Sequence, residues 1–335
     1  MPAMSKPTQH GGDPSALEAI HGKPPDGWLD LSTGINPDGY LVTGLGEADW
    51  RALPTAAQMA SLEAAARACY GVPRAAEVVA APGSQALIQW LPRLRPGGDV
   101  AILGPTYSEH GPAWRDAGHR VALVDDFEAL ADADIAVLCN PNNPDGRILT
   151  PERLLALHAR LAAKGGWLIV DEAFADAEPA TSLAAASGLP GLIVLRSLGK
   201  FFGLAGLRLG FVLTDTAIGD DFAASFSPWA VSGPALEVGR TALADSAWCE
   251  TMRARLADDA CRLDTLFAGA GISVVGGTSL YRLIKTDSAA RLHERLARQG
   301  ILVRIFDDRP NLARIGLPGE AASFNRLADA LNAFA

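Results

Sequence analysis

Seven short apolar runs alternate with helical patterns through the first two thirds of this chain, and that alternation limits its fold more than any other feature. The runs are EVVAA (77–81), DVAIL (99–103), RVALV (120–124), IAVLC (135–139), WLIVD (167–171), LIVLR (192–196) and LGFVL (209–213). Strands separated by helices require crossover connections, so the sequence predicts an α/β domain on a mostly parallel sheet. Two helices are well punctuated. SLEAAARACYG places Ser61 at an N-cap and Gly71 past the end, while Thr150, Pro151 and Gly165-Gly166 bracket a second. In sheets of this kind ligand chemistry gathers on loops at the strand ends.

After about Ser225 the texture changes. Helical patterns run from Pro234 to about Ala268, then GISVV, SLYRLIK, a helix from Ser288 to Gln299, ILVRIF, NLARIGL and a closing helix after PGE. Residues up to Gly46 are rich in Gly, Pro and Asp with little periodicity. The expected organisation is an N-terminal arm over 1–46, a large α/β domain over 47–225 and a smaller α+β C-terminal domain over 226–335.

The chain has 335 residues, 49% hydrophobic and 20% charged, which suits a compact enzyme and argues against wholesale disorder. Its net charge of -9 argues against nucleic acid or an anionic membrane as a partner, so an anionic ligand needs a local basic pocket. No apolar run approaches a membrane span, and MPAMSKPTQHGGD lacks the apolar stretch of a signal peptide, so a cytoplasmic location is expected. Cys69, Cys139, Cys249 and Cys261 show neither CxxC spacing nor a histidine cluster, which predicts reduced, packing cysteines and no metal site.

Polar residues cluster after five of the strands. In APGSQALIQW, Gly83, Ser84 and Gln85 open a helix whose N–H groups and hydroxyl suit a phosphate; taken alone, an ordinary glycine turn explains it as well. GPTYSEH puts Tyr107 past a strand, where its ring can stack on a flat ligand or simply pack. CNPNNPDGR is a stiff turn that would hold the Asn143 amide in place as a donor. Asp171 ends the apolar run WLIVD, and a carboxylate there needs a cationic partner unless it caps a helix.

The fifth cluster is RSLGKFFGLAGLRLGF (196–211), in which charged residues stand in a glycine-studded apolar run. An apolar pocket lowers a lysine pKa, freeing the Lys200 amine to attack a carbonyl, while Ser197 and Arg208 suit a phosphate. One cofactor answers all five clusters with its aldehyde, ring nitrogen, phenolic oxygen, flat face and phosphate: pyridoxal phosphate.

The order and spacing of these motifs resemble those of fold-type I pyridoxal-phosphate enzymes, the aspartate aminotransferase superfamily, over essentially the whole chain. Within it the chain is similar to the histidinol-phosphate aminotransferase-like branch. The resemblance implies that Lys200 takes the cofactor aldehyde and Asp171 pairs with the ring nitrogen. It implies that Asn143 bonds the phenolic oxygen and Tyr107 stacks on the ring. Gly83, Ser84, Gln85, Ser197 and Arg208 would bind the phosphate.

The openings QHGGDP and DLSTGINPDGY are similar to those of cobalamin-pathway threonine-phosphate decarboxylases, where His10 and Asn36 match substrate-contacting positions. Arg304 and Arg314 follow the family pattern of two arginines, one for the substrate phosphate and one for its carboxylate, with Arg309 a rival for either role. The resemblance therefore implies decarboxylation of O-phospho-L-threonine by a homodimer, with an aminotransferase acting on a compound such as histidinol phosphate as the alternative. Two positions depart from the pattern. Phe174 stands where many relatives carry a tyrosine that donates to the phenolic oxygen, and RALPTAAQM lacks a tyrosine that reaches across the dimer in some.

Overall fold

The computed structural model describes residues 11–226 and 228–332. In chain order the strands are β1 (Leu29–Asp30), β2 (Ala76–Ala81), β3 (Asp99–Leu103), β4 (Arg120–Val124), β5 (Ile135–Cys139), β6 (Trp167–Asp171) and β7 (Leu192–Ser197). They continue with β8 (Gly210–Asp215), β9 (Ser273–Thr278), β10 (Tyr281–Lys285), β11 (Ile301–Leu302), β12 (Arg304–Phe306) and β13 (Arg309–Gly316). The described residues form two compact units: residues 38–254, and residues 11–37 joined to residues 255–332.

The 38–254 unit is built on a seven-stranded sheet in the order β2-β8-β7-β6-β5-β3-β4. Its strands are parallel except β8, which runs against both neighbours. β5 and β7 are buried along their whole length, which is why they read as continuous apolar runs, whereas edge strand β4 exposes several positions. On one face Val137, Ile169, Ile193, Leu195 and Val212 pack with Leu87, Trp114 and Phe222 to form the main core.

Strand direction positions the chemistry. Because β2, β3, β5, β6 and β7 point the same way, the five polar loops that follow them all emerge at one edge of the sheet. β8 runs the other way, so Arg208, just ahead of it, arrives at the same edge.

All seven apolar runs are strands. One helix start differs from expectation. The helix expected with Ser61 as its N-cap spans Ala56–Tyr70, because Thr55 and Gln58 cap each other reciprocally and begin it six residues earlier. Gly71 ends it at φ 65°, and Thr150 caps the Pro151–Ala162 helix, as expected.

The other unit contains a four-stranded antiparallel sheet, β12-β13-β10-β9, and the parallel pair β1-β11, in which Leu29 and Asp30 lie beside Ile301 and Leu302. Part of the segment expected as an arm thus supplies a strand here. Residues 226–254, expected with the C-terminal domain, group with residues 38–225, where Gly239 of the Gly233–Ala244 helix sits against Leu62 and Leu209. In β12 and β13, Arg304 lies directly opposite Arg314, and the register shifts between Ile305 and Phe306. Among the described residues no helix is long and apolar enough to cross a membrane.

Candidate active site

Asp171 is the last residue of β6 and is 4% exposed. Its Oδ1 accepts the Ala173 N–H at 3.0 Å, and its Oδ2 lies 3.0 Å from His110 Nε2. Burial opposes charge on the imidazole, but hydrogen bonds to Asp171 and Cys139 and their charges outweigh it and hold His110 up at about 10. The cationic partner required by a buried carboxylate is therefore partly built in. The sequence reading missed His110, although it stands three residues after Tyr107 in GPTYSEH. Donor atoms of His110, Cys139 and Asp171 lie within 4.8 Å of one another, but an imidazole protonated on both nitrogens has no lone pair for a metal.

The pair has a pH signature. A folded pKa raised above about 6.5 contributes stability that is complete below that value and lost as pH rises toward about 10. The stability advantage of wild type over His110→Asn should therefore narrow as pH rises through that window. Urea unfolding midpoints taken every half unit would show it, and a constant difference would contradict a charged His110.

Tyr107 donates its hydroxyl to Gln85 Oε1 at 3.1 Å, and Gln85 Nε2 donates to Glu109 at 3.3 Å. Burial, with the charges of Glu109 and Asp171, pushes the phenol above its ordinary value. The Gln85 side chain is thus engaged in bracing Tyr107. What Gln85 still offers a phosphate is its main chain.

The asparagine-proline loop divides its labour. Asn140 bonds the Leu149 main chain in both directions and Thr181 O, and Asn142 donates to Pro105 O and Asp145 while accepting from Thr106. The Asn140–Pro141 and Asn143–Pro144 bonds are cis. Asn140 and Asn142 are buried within the loop, whereas Asn143 is half-buried.

Ser197 closes β7, its hydroxyl accepting from Gly199 N at 3.2 Å, and Lys200 follows in a half-buried turn. Lys200 Nζ lies 5.5 Å from the centre of the Phe174 ring, so at the position of the expected tyrosine the lysine meets an apolar face. Arg208 adopts a left-handed backbone at φ 54°, a conformation that costs a non-glycine residue free energy. Its guanidinium donates to Ala205 O and extends over the Gly83 turn.

The turn provides a test of fit. A Cβ on Gly83 would lie 2.7 Å from Arg208 Nη2, and one on Gly210 would lie 2.5 Å from Ser84 N. Only glycines leave this guanidinium and these amides close together, the arrangement a phosphate requires. Together with an amine, an amide, a carboxylate and an aromatic face on one sheet edge, the donor set fits the flat aldehyde-bearing phosphate ester expected from the sequence.

Of the substrate residues expected from the sequence, Asn36, Arg304 and Arg314 belong to the other unit. Arg314 is 6% exposed, donates to Ser32 O at 2.5 Å and lies 5.2 Å from the centre of the Tyr281 ring. Arg304 is half-buried across the strand pair from it, and Asn36 is buried. Like charges directly opposite one another in a sheet repel, and an anion held by both relieves that repulsion. Arg309, the rival, is paired with Asp308 at 3.3 Å. Gly12 donates its N–H to Ser32 Oγ at 2.8 Å; His10 lies outside the described residues.

The family model for class I and II aminotransferases matches residues 46–331. A threonine-phosphate decarboxylase from Pseudomonas aeruginosa is 45% identical over 329 residues, 97% of this chain and 98% of that protein. A histidinol-phosphate aminotransferase from Sodalis glossinidius is 30% identical over 73% of each chain. Among solved structures, the histidinol-phosphate aminotransferase from Sinorhizobium meliloti in complex with pyridoxal-5'-phosphate superposes with a TM-score of 0.84 at 22% identity, over 99% of both chains.

Proposed function

This chain belongs to the class I and II aminotransferase family, and on that premise we propose that it decarboxylates O-phospho-L-threonine with pyridoxal phosphate as cofactor. The observation that carries the reading is 45% identity to a threonine-phosphate decarboxylase over nearly the full length of both proteins. The similarity to a histidinol-phosphate aminotransferase is lower and covers less of the chain, so transamination is the weaker reading.

When bound, pyridoxal phosphate supplies an electron sink that lets a bond at the substrate's α-carbon break. The remaining work falls to the protein. In this reading the Lys200 amine would take the aldehyde and afterwards hold the proton returned to the α-carbon. Asp171, backed by His110, would present negative charge to the ring nitrogen. Asn143 would donate to the phenolic oxygen, and Tyr107 would stack on the ring. Arg208, Ser197 and the main chain of Gly83, Ser84 and Gln85 would hold the phosphate. His10, Asn36, Arg304 and Arg314 are assigned to the substrate, the two arginines answering its two anionic groups. The bond broken joins the α-carbon to the carboxylate; carbon dioxide leaves, a proton takes its place, and the product is 1-amino-2-propanol phosphate, the linker of cobalamin.

We also assign the protein to the cytoplasm, in keeping with its free cysteines, and to a homodimer. Exposed Leu41, Val42, Trp50, Leu53 and Trp229 are the kind of surface a second copy covers.

The deciding experiment is a mass-spectrometric product assay with O-phospho-L-threonine, run with and without 2-oxoglutarate. Amine formed with loss of carbon dioxide, independent of the keto acid, supports the decarboxylase. Glutamate appearing only with 2-oxoglutarate would make the protein an aminotransferase. The arginines can be assigned separately. Alanine at the phosphate-binding position should lower kcat/KM for O-phospho-L-threonine by about 10- to 100-fold while affecting threonine little, the scale of a lost charged hydrogen bond. Equal loss on both substrates would mark the carboxylate ligand instead.

A further inference from the structure

Two charged residues to which the reaction gives no part stand beside two that it uses. Glu172 follows Asp171 at the end of β6, and Arg196 precedes Ser197 at the end of β7. Successive strand residues face opposite ways, so Glu172 and Arg196 meet on the face turned away from Asp171 and Ser197. There Arg196 Nη1 donates to Glu172 at 2.7 Å and Nη2 donates to Asp176 at 2.5 Å, with none of these side chains more than 3% exposed. Glu172 also accepts from Ser182 Oγ at 2.6 Å and Leu183 N at 2.7 Å. The Tyr70 ring centre lies 4.1 Å from the guanidinium carbon, and Arg253 donates to Asp176 O at 2.8 Å.

Stability alone is a poor reason for this network. Burial pushes the Glu172 and Asp176 carboxyls up, and Arg196 opposes that shift without overcoming it. Asp176 Oδ2 and Arg196 Nε are buried without a hydrogen-bond partner among the described residues. Apolar side chains of similar volume pack such a site at equal or lower free energy. What they cannot supply is direction: a guanidinium fork fixes the height of one strand end against the next.

We propose that Arg196, Glu172 and Asp176 are positioning residues that lock the ends of β6 and β7. Asp171 and Ser197, one residue away, are thereby held at the separation needed to grip the ring nitrogen and phosphate of one cofactor molecule. The proposal rests on the pyridoxal-phosphate reading above.

The test compares holoenzymes of wild type, Arg196→Lys, and the triple variant Glu172→Met/Asp176→Leu/Arg196→Met, which leaves none of the three charges behind. The readouts are the thermal midpoint, the cofactor retained on dialysis, the pH midpoint of the bound cofactor's visible absorption, and kcat against KM. The triple variant should melt within a few degrees of wild type yet hold the cofactor about tenfold or more weakly. Its absorption midpoint should shift and its kcat should fall by about 10- to 100-fold with KM little changed, as a displaced reacting group requires. Arg196→Lys, which keeps the charge but not the fork, should fall between the two.

Unchanged retention, midpoint and kcat in a folded triple variant would overturn the proposal and leave the network a packing feature. If the triple variant does not fold, Arg196→Lys decides by the same readouts: wild-type values overturn the proposal and shifted values support it. Wild-type protein that binds no pyridoxal phosphate would overturn both the proposal and the reading beneath it.

Discussion

Lys200→Ala is expected to lower turnover of O-phospho-L-threonine by about 10³-fold or more, because in the proposed mechanism one amine serves as both covalent anchor and proton carrier. The loop should survive the change. Gly203 N donates to Lys200 O at 3.1 Å through the main chain, and Phe201 and Phe202 lie 5.5 and 5.6 Å from Trp248, ring centre to ring centre. None of these contacts uses the lysine side chain. Single-turnover product analysis beside a melting curve will separate chemical loss from structural loss. Partial recovery with added methylamine would show that an amine is what is missing. A variant retaining a tenth of wild-type turnover would remove Lys200 from the mechanism.

Asp171→Asn is the second large expected effect, about 10²- to 10³-fold in kcat, the scale of a lost preorganised electrostatic partner. The amide oxygen can still accept the Ala173 N–H, so the local backbone has reason to stay in place. What disappears is the charge that holds His110 protonated. The His110 titration, followed by NMR, should accordingly fall from about 10 toward the ordinary histidine value. Normal kcat with a lowered His110 titration would mean that the ring nitrogen does not depend on this carboxylate.

Much of the sheet and the sequence of polar loops was legible beforehand, since buried parallel strands write themselves as apolar runs and their loops as breaks of Gly, Pro and Asn. The residues that escaped notice act through partners distant in sequence. His110 is one polar residue in a helix start, and its meaning comes from Asp171, 61 positions away. Arg196 looked like part of the same cationic stretch as Lys200, yet strand alternation turns it to the other face, toward Glu172 and Asp176. Gln85 was expected to serve a phosphate; its side chain bonds Tyr107, which leaves its main chain for that proposed role. The early start of the Ala56–Tyr70 helix could have been read from Thr55 and Gln58, a capping pair three residues apart, had the apolar pattern not drawn attention to Ser61.

The pairing of β12 with β13 bears on how substrate preference can change. Phe306 and Arg309 close a tight hairpin through Asp307 and Asp308, and the register shift just inside it brings Arg304 opposite Arg314. Sliding either strand by one residue would send the two guanidiniums to opposite faces without altering either of them. If Arg304 and Arg314 hold the two anionic groups as proposed, recognition of a double anion is encoded in the count of residues around a turn as much as in the arginines. On that proposal, a single insertion or deletion there would be a short evolutionary route from doubly to singly charged substrates.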